Sequence, residues 1–149
     1  MNTLKRSTII LLALALLLAA CSPASALEQN RLKWADQKIS HYRFNLSIGC
    51  FCAFRSQMPL TIEVQDGKII SIETVDGSPI VEGTREIFEK AGTVENLFAV
   101  IEEAQATGAD ELTVVYDPTY GFPSQISIDQ SKSMADEEIS YIVENFQVL

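Results

Sequence analysis

A single histidine, His41, a single tryptophan, Trp34, and three cysteines are all that 149 residues carry of those types. One histidine excludes a His-Glu-x-x-His zinc helix, and a closed zinc site would need four ligands that this composition hardly supplies. The seven glycines form no phosphate-cradling loop, and no Gly-x-Ser-x-Gly nucleophile elbow occurs. Basic residues are also scarce, 11 against 20 acidic ones. That imbalance repels nucleic acid and anionic lipid head groups, so no nucleic-acid partner is expected. No apolar run is long enough to span a bilayer, since the longest, Ile9–Ala20, has twelve residues and a spanning helix needs roughly 20.

What is present begins at the N-terminus. Lys5 and Arg6 precede the Ile9–Ala20 run, which ends at Leu18-Ala19-Ala20-Cys21. A short positive region followed by such a run is the pattern of a secretory signal. The last four residues resemble the lipobox of bacterial lipoproteins, where small residues precede a cysteine that is acylated and becomes the new N-terminus. A second small-x-small site, Ala24-Ser25-Ala26, would instead release a soluble chain without Cys21. The lipobox is preferred because it abuts the apolar run directly. The expected organisation is therefore a signal peptide over residues 1–20, a lipidated Cys21 with a tether to residue 26, and one domain over 27–149. Cleavage before Cys21 leaves nine basic against 20 acidic residues, a net charge of −11. Solubility is the simplest use of such a surface. The expected address is the cell envelope, with the membrane contacted through lipid and the domain on its outer side.

Along the mature chain the apolar period changes several times. Leu32, Ala35 and Ile39, beside Trp34, predict a helix within Leu27–Ser40. Tyr42, Phe44, Leu46 and Ile48 alternate with polar residues and predict a half-buried strand. Leu60, Ile62 and Val64 predict a second strand, and Ile70 and Ile72 a third that shares its buried face. A two-residue Asp66-Gly67 turn would put Ile70 and Ile72 on the wrong face. A three-residue loop with Gly67 in a bulge is therefore expected, pairing Ile62 with Ile70 and Leu60 with Ile72. Residues 76–92 read as a long loop holding Ile87 and Phe88. Thr93 can cap a helix carrying Val94, Leu97, Phe98, Ile101 and Ala104, with Gly108 just beyond it. Leu112, Val114 and Tyr116 predict a strand, Asp117–Pro123 a turn, and Ile126 and Ile128 a return strand. The segment after Asp136 fits either strand or helix, and strand is preferred because a helix–three-strand order would then occur twice. The fold class expected is α+β, an antiparallel sheet with about two helices on one face.

Cys50-Phe51-Cys52 is the feature that asks for chemistry. In an oxidising compartment, with Cys21 acylated, these two thiols have only each other within the chain. Residues i and i+2 of a strand lie about 6.6 Å apart, at the top of the range for a disulfide, so the chain would have to bend. A loop of three residues would contribute only about 1.6 kcal/mol through chain entropy. Four readings stay open: a local disulfide without chemistry, a reduced packed pair, part of a metal site, and thiol–disulfide exchange. His41 is best read as a partly exposed strand residue rather than a ligand. Asp129-x-Ser131-x-Ser133 begins like a calcium loop, but Met134 and Ser140 stand where a glycine and a glutamate are required. No metal or cofactor is called for. Tyr116, Tyr120 and Phe122 around the Asp117–Pro123 turn form either a recognition patch or the end of the core.

Tyr42-Arg43-Phe44, Cys50-Phe51-Cys52 and Val64-Gln65-Asp66-Gly67-Lys68 together resemble a family of bacterial exported proteins and lipoproteins catalogued as a domain of unknown function, of the 6174 type. Tyr116-Asp117, Gly121-Phe122-Pro123 and Asp136-Glu137-Glu138-Ile139 continue the resemblance, which covers about residues 32–146. It implies an envelope location and assigns no catalytic residue. In topology, two helix–three-strand units would be similar to PepSY-like and β-lactamase-inhibitor-like folds, whose domains bind or inhibit other proteins. The reading that follows is a non-enzymatic binding module tethered through Cys21, meeting an envelope protein or a small ligand. The alternative is a thiol-redox or metal-binding protein using Cys50 and Cys52.

Overall fold

The computed structural model describes residues 24–134 and 136–149, so the expected signal peptide and Cys21 lie outside the described residues. Three α-helices are present among the described residues, α1 (Ala26–Gln37), α2 (Arg85–Glu89) and α3 (Val94–Thr107). The strands are β1 (His41–Gly49), β2 (Leu60–Gln65), β3 (Lys68–Thr74), β4 (Glu111–Tyr116), β5 (Pro123–Asp129) and β6 (Ile139–Val148). All six join one antiparallel sheet in the order β3-β2-β1-β6-β5-β4, with β3 and β4 at its edges.

This corrects the α+β expectation. The protein is mostly β, one continuous six-stranded sheet with few and short helices. The reason is visible in α1. Its expected apolar stripe of Leu32, Ala35 and Ile39 is not a buried face: Leu32 is exposed, and only Leu27 and Trp34 are buried. Ser25 caps the helix by accepting from the Glu28 amide at 3.2 Å, so Ser25 and Ala26 belong to the folded unit rather than to a tether. Among the described helices, α3 runs along β4 and β5. Thr93 caps α3 by accepting from the Asn96 amide, and Gly108 ends it at a φ of 71°, both as its residues require.

β1 keeps strict alternation, burying Tyr42, Phe44, Leu46 and Ile48. The hairpin after β2 departs from expectation. Gln65 pairs with Lys68 and Val64 with Ile69 across a two-residue Asp66-Gly67 turn, both turn residues having positive φ (50° and 72°). Such a turn suits the right-handed twist of a hairpin. The face conflict is resolved inside β3 instead, because the register shifts beyond Val64 and Ile62 then pairs with Ile72. Ile70 is left 52% exposed while Ile72 is 6% exposed. A bulge in the strand thus brings Ile72 alone onto the buried face, and Ile70, expected beside it, stays outside.

β6 is a strand throughout and carries a second bulge. Glu144 pairs with Asn45 and Gln147 with Arg43, so two residues oppose Phe44, and Asn145 takes a φ of 52°. Without the extra residue Phe146 would face away from Val143's side; with it, the ring joins the core. There it meets Phe122 at 4.6 Å, Tyr42 at 5.5 Å and the edge of Trp34 at 5.9 Å. Residues 76–92 are not all loop, since α2 places Phe88 in the core beneath Phe54, edge to face at 5.2 Å.

Candidate functional site

The strand register fixes what stands at each end of the sheet. His41 begins β1 opposite Gln65 and near Val148, and the β4–β5 turn lies at this same end. α1 crosses here: the Lys33 ammonium donates to the Pro118 carbonyl, and Gly121 packs against Asn30 and Lys33. Gly49 closes the other end of β1 opposite Ser140, and the Cys50 loop follows it. At about 3.4 Å per residue, the eight steps from Tyr42 to Cys50 put that loop roughly 27 Å from α1's end of the sheet.

Within the loop Cys50 and Cys52 meet with their sulfurs in bonding contact and their Cα atoms 5.2 Å apart. The bend that the sequence demanded is supplied by leaving β1 at Gly49 and entering a 3₁₀ turn at Ala53–Gln57. Both cysteines are half-buried, and Phe51 between them is 86% exposed, more than any other large apolar residue among those described. Arg55 lines the same shallow hollow as the two cysteines. The segment from Gln37 to Ile62 contains no acid and carries Lys38, Arg43 and Arg55, which contrasts with the acidic chain around it. Downstream the loop is pinned: Phe54 packs on Phe88, and the Gln57 side chain accepts from the Val81 amide at 2.7 Å.

The other residues singled out from sequence are distributed differently. His41 pairs with Glu63 at 2.7 Å on the face opposite the core, at the far end of β1 from the cysteines. Among the described residues no group of three or more His, Cys, Asp and Glu stands together as a metal site. Phe122 is buried, Tyr116 stacks on Phe98 at 6.4 Å, and Tyr120 lies 5.3 Å from Phe146. Phe122 thus has no surface to offer to a partner, while Tyr116 and Tyr120 are partly exposed at the end of the core. Asp117 shapes their turn by accepting from the Thr119 and Tyr120 amides.

A polar arrangement inside the fold was not anticipated. Trp34 donates from Nε1 to Glu95 Oε1 at 2.9 Å, the Tyr42 hydroxyl donates to Glu95 Oε2 at 3.4 Å, and the same hydroxyl accepts from the Val94 amide at 3.0 Å. Val94 is the first residue of α3, so Tyr42 supplies an acceptor to one of the amides that a helix start leaves unpaired. Burial pushes the Tyr42 phenol well above its ordinary range. Glu95, Trp34, Arg31, Lys38 and Phe98 line a cleft of about 430 Å³ between α1 and α3. Each of these residues looks like an ordinary core or surface member in the sequence, and no spacing marks them as a group. No helix of the described residues is long and apolar enough to cross a membrane.

Comparison with known proteins adds a family and no activity. The model of a family of unknown function, DUF6174, matches residues 26–148. No curated protein matches the chain.

Proposed function

Belonging to the DUF6174 family of unknown function, the chain takes no activity from its relatives, and we propose from its own residues that it is a membrane-tethered, non-enzymatic interaction module of the cell envelope. The observation that carries this reading is Phe51. A phenylalanine held 86% exposed on a short pinned loop gives up most of the roughly 2 kcal/mol that burying it would provide. Exposed aromatic side chains that a partner can bury are the usual anchors of protein interfaces. The loop that holds Phe51 lies far from α1. With acyl chains on Cys21, the three residues Ser22–Ala24 reach at most about 14 Å to Ser25. The anchor would thus draw α1's end of the sheet toward the bilayer and leave Phe51 pointing outward, toward other envelope proteins. The acidic mature chain keeps the domain itself off anionic head groups.

Two measurements test this together. The intact mass of the protein from membranes should show cleavage before Cys21 and a lipid-sized increment; a soluble chain starting at Leu27 refutes the tether. A photocrosslinking residue at position 51 should then give discrete products in the envelope that are absent when it is placed at exposed Leu32. Equal labelling at both positions refutes Phe51 as the contact.

A further inference from the structure

We propose that Cys50 and Cys52 form a thiol–disulfide exchange site that accepts two electrons from an external dithiol. Three observations converge on it. The pair closes a ring of only three residues outside the sheet, so the bridge adds little constraint to the unfolded chain and joins no two elements of the fold. The loop is held by other contacts just downstream, the Phe54–Phe88 packing and the Gln57 bond to the Val81 amide, so opening the bridge leaves the domain's supports in place. The surroundings favour an incoming thiolate: both sulfurs' residues are partly exposed, and Arg55 lines their hollow. A cation beside a sulfur stabilises the thiolate that must leave.

The exchange proceeds in two displacements. A thiolate of the dithiol attacks one cysteine sulfur, the Cys50–Cys52 bond breaks, and the other cysteine departs as a thiolate. The donor's second thiol, deprotonated, attacks its own sulfur in the mixed disulfide and releases the remaining cysteine. The donor leaves as a cyclic disulfide, and the protein holds two thiols once two protons are taken up. This deepens the reading of the loop as a contact surface by giving the partner a chemistry. Exchange with a small dithiol does not require that reading, so the two can fail separately.

The test uses the full chain, oxidised, with dithiothreitol as donor and quenching by alkylation, each cysteine being located by peptide mass. We expect Cys50 and Cys52 to be bridged after oxidation and to be reduced in the folded protein no more than a hundredfold slower than in denaturant. Emission from buried Trp34 should stay unchanged throughout. A rate slower than that, free thiols after exposure to oxidised glutathione, or a loss of the Trp34 signal on reduction would each overturn the proposal. If the rates hold but crosslinking at position 51 finds no partner, the chemistry stands and the contact reading falls.

Discussion

Replacing Tyr42 with Phe probes how the N-terminus of α3 is held. The ring keeps its packing against Trp34 and Phe146, at 5.4 and 5.5 Å, so little apolar burial is lost. What disappears is the oxygen that accepts from the Val94 amide and donates to Glu95. Val94 is fully buried, and no water can take the place of that acceptor without entering the core. An unsatisfied buried amide costs about 1–3 kcal/mol. For a domain of this size the loss corresponds to a fall in Tm of roughly 3–10 °C. Urea unfolding followed by Trp34 emission measures it directly, and the slope should be unchanged because the exposed surface is unchanged. The same substitution has a pH signature. The folded phenol is raised by burial, so the contribution of Tyr42 is complete below the ordinary phenol range near 10 and is lost as pH climbs above it, where the unfolded chain ionises first. The variant should therefore lose less stability than the parent between neutral pH and strong alkali. Tyr116 and Tyr141, also raised by burial, keep some of the slope in both proteins. A variant as stable as the parent, with the same alkaline slope, would refute the assignment of Tyr42 as the acceptor for α3.

Two further expectations concern backbone geometry. The β3 bulge predicts that Ile70→Lys stays within about 0.5 kcal/mol of the parent, while Ile72→Ala costs about 2–4 kcal/mol; equal effects in denaturant titrations would restore the unbulged register. Gly121 has a φ of 85°, and a Cβ there would stand 2.7 Å from the Asn30 carbonyl oxygen. Gly121→Ala should cost about 1–3 kcal/mol by thermal unfolding and loosen α1, read as faster amide exchange over 30–34.

Much of the secondary structure was legible because it is local. β1 alternates without exception, and α3 is framed by Thr93 and Gly108, residues whose side chain or freedom at positive φ marks a helix end. The failures share a cause. Nothing near Ile70 or Asn145 announces a bulge, since each is set by which neighbours across the sheet need an apolar partner. α1 has a plausible apolar stripe, yet Trp34 beside it is the residue that reaches the aromatic cluster, and Leu32 stays exposed. The candidate site divides in the same way. Cys50-Phe51-Cys52 stands out in the sequence because two cysteines one residue apart need a reason, whereas the Trp34–Tyr42–Glu95 contacts join residues up to 61 positions apart and leave no trace in spacing.

The strand order has a temporal meaning. β1 and β6 lie side by side at the middle of the sheet, so its central seam joins the earliest and latest strands. Each flanking hairpin can zip by itself, but neither half can hide its inner edge until residues near Val143 and Phe146 arrive. Closing a gap of nearly a hundred residues is slow compared with zipping a hairpin. A chain emerging N-terminus first would thus carry an open β1 edge until β6 has emerged, and removing β6 alone would leave two unjoined three- and two-stranded pieces.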